Sequence, residues 1–173
     1  VPDPYFSGKG PERAGCTFCG GCMPGCRHNA KNTLDKNYLY LAQQLGVEIL
    51  AESEVVDVKP IEEADGSDGY AICYRSSTAW IKKQRSVSTR GLIFAGGVLG
   101  TIPLMLKLRQ SSLPRLSARV GCDIRTNNES LIPVTTFDKG KDLSKGVAIG
   151  SILHTDEHSH LEPVRYSSGS GFW

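Results

Sequence analysis

Four cysteines fall within one short stretch, Cys16-Thr-Phe-Cys19-Gly-Gly-Cys22-Met-Pro-Gly-Cys26, at the spacing C-x2-C-x2-C-x3-C. Thiolates converging from one loop can hold an iron–sulfur cluster, and Gly20, Gly21 and Gly25 let the backbone wrap tightly around it. Runs of this spacing are usually followed by proline, whereas Arg27 follows here, and no second run exists. The same residues also read as reduced thiols, or as a disulfide pair, in a glycine-rich loop. Structural zinc is the third reading, weakened because the ligands do not form two separated pairs. On spacing alone all three stay open. Cys73 and Cys122 stand apart and read as buried small hydrophobes.

A second candidate is Ala95-Gly96-Gly97-Val98-Leu99-Gly100, which joins an apolar run to a helix. It is a near miss of the dinucleotide fingerprint, with Ala at the first glycine and no acidic residue at the ribose spacing. Glycines here would let a backbone approach a phosphate at the helix N-terminus. A plain strand-to-helix turn is the bland reading. His154, His158 and His160 have metal-like spacing, but Asp156, Glu157 and Ser159 among them fit a solvated turn better.

These residues must be positioned by secondary structure. Val1 to Gly15 is rich in Pro and Gly, and Pro2, Pro4 and Pro11 argue against helix. Thr33 is placed to cap a helix whose Leu34, Tyr38, Leu41 and Leu45 share a face and which stops at Gly46. A short strand from Val47 to Leu50 is expected next. Three further strands follow, Val55 to Pro60, Tyr70 to Arg75 and Ile81 to Ser88, with a turn from Ala64 to Gly69 between the first two. They read as an antiparallel meander inserted between strands of a parallel sheet. The continuous apolar run Gly91 to Ala95 predicts a strand covered on both faces. Thr101 to Arg109 predicts a helix, with Pro103 in its first turn. Beyond Pro114 the pattern turns antiparallel, with strands expected at Leu131 to Phe137, Val147 to His154 and Leu161 to Tyr166.

The expected class is therefore α/β, or α+β overall. Three regions are expected, namely an irregular Cys/Gly-rich arm (1–28), a partial α/β domain (29–110) and a partial antiparallel domain (111–173). The 173 residues suffice for one substantial core, and 39% hydrophobic and 22% charged content is ordinary for a globular protein. A net charge of +2 offers no electrostatic case for nucleic acid. No apolar run reaches membrane-spanning length and no signal-like segment opens the chain, so secretion is unsupported and a cytoplasmic, bacterial setting is expected. The start at Val1-Pro2-Asp3-Pro4 and the terminal Phe172-Trp173 read as an internal segment of a longer protein, whose remainder would be a partner.

In combination, several motifs carry a resemblance. They are Cys-x-x-Cys-Gly-x-Cys-x-x-Gly-Cys-Arg-His, Asn29-Ala-Lys-Asn-Thr-Leu-Asp-Lys-Asn-Tyr-Leu39, Ala95-Gly-Gly-x-Leu-Gly-Thr101, Leu113-Pro-x-Leu-Ser117 with Val120-Gly121, and Leu161-Glu-Pro-Val-Arg-Tyr166. With them the chain resembles the glucose–methanol–choline (GMC) flavoprotein oxidoreductases, in their bacterial cholesterol-oxidase-like branch. The resemblance implies bound FAD, a Rossmann-like FAD-binding domain with the meander inserted, and the start of an antiparallel substrate domain. It implies oxidation of an alcohol, such as a sterol 3-hydroxyl, to a carbonyl by hydride transfer to the flavin. Val55 would contact the adenine through its backbone, and Ala95, Gly96 and Gly97 would lie along the pyrophosphate and ribityl chain. Glu162 would move a proton in steroid double-bond isomerisation, as a buried carboxylate of raised pKa can; a salt-bridged strand carboxylate, paired with Arg165, is the alternative.

Two other functions compete. Some flavin dehydrogenases of this superfamily hold an iron–sulfur cluster at C-x5-C-x3-C, which Cys16, Cys22 and Cys26 reproduce with Cys19 as a fourth ligand. A non-catalytic piece acting by association, through an unpartnered sheet edge, is the other. The family's N-terminal glycine fingerprint and C-terminal active-site His have no counterpart in these residues. The segment alone is therefore expected to be inactive and to bind FAD weakly or not at all.

Overall fold

The computed structural model describes residues 5–125, 128–138 and 140–170. Pro2, Pro4, Phe172 and Trp173 lie outside the described residues. The chain divides into two units, Leu50–Leu131 and a second made of Val1–Ile49 with Ile132–Trp173.

The Leu50–Leu131 unit is built on the meander. Strands β1 (Ser53–Pro60), β2 (Tyr70–Ser76) and β3 (Gln84–Thr89) form one antiparallel sheet in the order β1-β2-β3. The register places Val55 opposite Tyr74 and Ile72 opposite Val87. Glu54 lies opposite Arg75, whose guanidinium donates to both carboxylate oxygens at 2.8 and 3.2 Å. Such a fork pins register as well as adding attraction. It also holds the Glu54 carboxyl below its ordinary value, the Arg75 hydrogen bond being the main cause. The β1–β2 turn closes where the Ser67 N–H donates to Asp65 Oδ1 at 2.9 Å, the local side-chain bond that favours Asp in turns.

Helix α2 (Val98–Arg109) packs on β1. Leu108 on the helix and Val58 on the strand are fully buried. Lys107 and Arg109 end the helix, where cations suit its dipole, and the Leu113 N–H returns to the Leu108 carbonyl at 2.8 Å. Pro103 falls in the second turn rather than the first, because the helix begins at Val98. The hydrogen bond it cannot give would have gone to Leu99, whose exposure leaves that carbonyl to water.

In the other unit, a 3-10 turn at Tyr5–Gly8 sits within the proline-rich arm, and another at Leu34–Lys36 precedes helix α1 (Tyr38–Gln44). The cap is Asn37, not Thr33, since the Asn37 side chain accepts from the Tyr38 N–H while Thr33 makes no side-chain cap bond. Gly46 ends the helix as expected, the Val47 N–H bonding Ala42 and the Gly46 N–H bonding Gln43. Two-residue strands β4 (Leu153–His154) and β5 (His160–Leu161) pair antiparallel, and Ile149 and Val164 form a separate antiparallel bridge. Ala148 is buried beside them, its carbonyl accepting from the Arg165 N–H.

The fold is thus α+β, with helices and antiparallel sheet. The expected strands at 47–50, 91–95 and 131–137 are not formed. A strand exists only by pairing, and among the described residues nothing is laid beside these runs, so Ile93, Leu131 and Phe137 stand 89–99% exposed. Cys122 is exposed and Cys73 half-buried, so the expectation of two buried cysteines fails. Among the described residues no helix is long and apolar enough to cross a membrane.

Candidate functional site

The cysteine loop is held at both ends. On one side Gly20 donates to the Gly146 carbonyl at 2.8 Å and Gly146 donates to Phe18 at 2.7 Å, so residues 18–20 run parallel to the chain at 146. Gly20 has φ of +68°, and a Cβ there would strike the Ser144 carbonyl oxygen. On the other side the Ala30 N–H donates to Cys26 Sγ at 3.3 Å, while Ala14 bonds the Asn29 carbonyl. Between them Gly25 N–H closes a turn onto the Gly21 carbonyl at 3.2 Å.

Each thiol nonetheless has its own surroundings. Cys16 Sγ accepts from the Phe18 N–H at 3.4 Å. The Gly21 N–H and the Thr17 hydroxyl hold Cys19 below the usual thiol range, and the Ala30, Lys31 and His28 N–H groups do so for Cys26. None of the six cysteines is in a disulfide. Among the described residues no three His, Cys, Asp or Glu side chains converge as a metal site would need. As folded, the loop does not fit a metal cluster.

The glycine turn behaves differently. Gly97 is the N-terminal cap of α2, with φ of +75° and no side-chain cap bond. Nothing lies within 4 Å of a Cβ built on Gly97 or Gly100. A helix start with no side-chain cap leaves first-turn N–H groups of the kind that suit a phosphate. Ala95 and Gly96 precede it, both exposed.

Val55 lies in the same unit, on edge strand β1. Val55 pairs with Tyr74 and Asp57 with Cys73, which leaves Val56 as an extra residue in a bulge. The bulge presents the Val56 carbonyl to Lys107 Nζ at 2.9 Å. An open groove of about 860 Å³ runs between α2 and the sheet, lined by Val55, Cys73, Arg75, Gly100 and Lys107 among others. Sequence reading passed over Lys107 and Arg75; the basic last turn of the helix was the available signal for the first.

Glu162 follows β5, half-exposed, with Oε1 3.5 Å from His160 Nε2. Arg165 is not its partner, donating instead to the Lys145 carbonyl. The His160 ring lies 5.8 Å from that of His154, its partner in the strand register. The loop between them is a solvated turn, in which His158 N–H donates to Asp156 Oδ1 at 2.8 Å and Thr155 bonds Ser159.

No family model matches the chain, and no solved structure matches it. Curated relatives do. The chain is 53% identical to a protein named cholesterol oxidase from Acinetobacter baumannii over 172 residues, 98% of this chain and 31% of that protein. It is 44% identical to one of the same name from Mycobacterium tuberculosis over 175 residues, 98% of this chain and 29% of that protein. The chain is thus cholesterol-oxidase-like over nearly its whole length, while spanning about three-tenths of the length of the relatives it matches.

Proposed function

We propose that the chain is part of an FAD-dependent oxidoreductase that oxidises a sterol-type alcohol to its carbonyl. The observation that carries this reading is the similarity to proteins named cholesterol oxidase across 98% of the chain. The resemblance to GMC flavoproteins supplies the cofactor. Residues 29–110 then belong to an FAD-binding, Rossmann-like domain and 111–173 to a substrate domain, with 1–28 as the arm leading in.

The uncapped start of α2 supports a phosphate-binding role for Ala95, Gly96 and Gly97, where N–H groups and the helix dipole offset the pyrophosphate charge. Val55 on edge strand β1 is the adenine contact, made through its backbone. When bound, the flavin supplies the two-electron acceptor that alcohol oxidation requires. Glu162 is the group that carries a proton during double-bond isomerisation, with His160 beside its carboxylate. An electron route through a cysteine-bound cluster lacks support, since among the described residues no three metal-ligating side chains converge.

The test uses the full-length protein that carries these residues, purified and incubated with cholesterol. Bound flavin and a ketone product are expected. Absence of flavin from an otherwise folded preparation, or no sterol turnover after FAD is supplied, would overturn the reading.

A further inference from the structure

The end of α2 and the segment after it hold three consecutive residues of β1, just beyond Val55. Lys107 Nζ donates to the Val56 carbonyl at 2.9 Å, and the Ser112 hydroxyl donates to Asp57 at 2.7 Å. Val58 and Leu108 are both fully buried where the helix packs on the strand. Of the three, Val56 is the residue that the bulge leaves without a partner on β2. The ladder does not fix its carbonyl, and an unpaired bulge peptide tilts freely unless another group holds it. Lys107 supplies that hold. Glu54, the acid beside Val55, is already forked by Arg75, and the Lys107 ammonium bonds the backbone. A single planar peptide separates the Val56 carbonyl from that of Val55, so holding the one limits the tilt of the other. The groove between helix and sheet is lined both by Gly100, in the first turn of α2, and by Val55.

We propose that Lys107 is a positioning residue for the adenine half of the cofactor, holding the bulge so that the Val55 backbone meets the adenine in one orientation. The role rests on the assignment of Val55 and Gly97 as FAD contacts, and adds a residue that does not itself touch the cofactor. On that assignment one helix serves both halves of the site. Its start, at Gly97, faces the pyrophosphate, and its last turn, through Lys107, sets the strand that faces the adenine.

The experiment titrates FAD into the flavin-stripped, full-length protein as wild type, K107M, K107R and G97A, read by flavin fluorescence. Met keeps the aliphatic stem and loses the donor, whereas Arg keeps a donor for the carbonyl. FAD should bind K107M about tenfold more weakly, the effect of one charged hydrogen bond, and K107R as it binds wild type. ADP, which carries the adenine without the flavin, should lose the same factor by calorimetry. The deficit should persist in about 0.5 M salt, which screens exposed charges. K107M that binds FAD and ADP like wild type, while G97A weakens FAD, overturns the role of Lys107 alone. Unchanged FAD affinity in both variants overturns the assignment of the contacts and the proposal with it. A deficit that salt abolishes, that Arg does not repair, or that is absent for ADP also overturns the proposal. K107Q, which removes the ammonium in a second way, carries the measurement if K107M does not fold.

Discussion

The Asp57 carboxylate accepts a hydrogen bond from the Ser112 hydroxyl at 2.7 Å, tying the bulged edge strand to the segment just after α2. Partial burial opposes the Asp57 charge, but the Ser112 hydroxyl, Lys59 and the Val58 N–H together hold its carboxyl below the ordinary 3.8. The strand and the helix that carry Val55 and Gly97 are therefore joined by a charged, partly buried hydrogen bond as well as by apolar packing.

Asp57→Ala should destabilise the Leu50–Leu131 unit by about 1 kcal/mol at neutral pH. The folded carboxyl titrates lower than the unfolded one. The stabilisation is therefore fully present above 3.8 and is lost as pH falls through the lower folded value. Urea melts of both proteins across the acid range should show the gap closing as pH drops. A gap that persists at the acid end would assign the effect to packing instead.

Leu108→Ala empties a fully buried site and should cost about 3 kcal/mol. Leu131→Ala, at a residue 90% exposed, should stay within about 0.5 kcal/mol. Thermal denaturation of the pair separates a real core from incidental apolar surface.

Gly20→Ala forces a side chain into a left-handed backbone position against the Ser144 carbonyl. A loss of roughly 1–2 kcal/mol is expected from the conformation alone. The 18–20 bridge to Gly146 should open, and hydrogen exchange at the Gly20 and Gly146 amides should accelerate. Unchanged protection at those amides would contradict the role given to this glycine.

Gly97→Ala strains the cap of α2, where φ is +75°, and adds a methyl group where the proposed function places a phosphate. In the full-length protein FAD should bind at least about tenfold more weakly, roughly 1.4 kcal/mol. Gly91→Ala meets open space without a positive φ and should leave flavin affinity unchanged. Equal affinities for the two variants, read by flavin fluorescence titration, would remove Gly97 from the cofactor site.

In the proposed function Glu162 moves a proton only during isomerisation, so in the full-length protein Glu162→Gln should slow double-bond isomerisation about 10²–10⁴-fold while sparing alcohol oxidation. Product analysis that separates the unconjugated from the conjugated ketone reports each step. Parallel loss of both would indicate a structural role for the His160 pair.

The meander was legible in the chain because alternation and the Asp65-Gly66 turn are local signals, read within one strand or one loop. Gly46 was legible for the same reason, since a helix stop needs only the residues it touches. The turn at 95–100 could be named as a glycine pattern, and the family resemblance rested on motifs as they stand in the residues. Strands at 47–50 and 91–95 were misplaced because their apolar content says nothing about whether a neighbour is there to accept their hydrogen bonds. Spacing likewise left the cysteines open among cluster, zinc and thiols. Only the folded loop, where Gly146 holds one flank and Ala30 the other, left no three ligands converging among the described residues. Ligand spacing is a property of the chain, whereas the direction in which a thiol points depends on distant backbone that the spacing does not record.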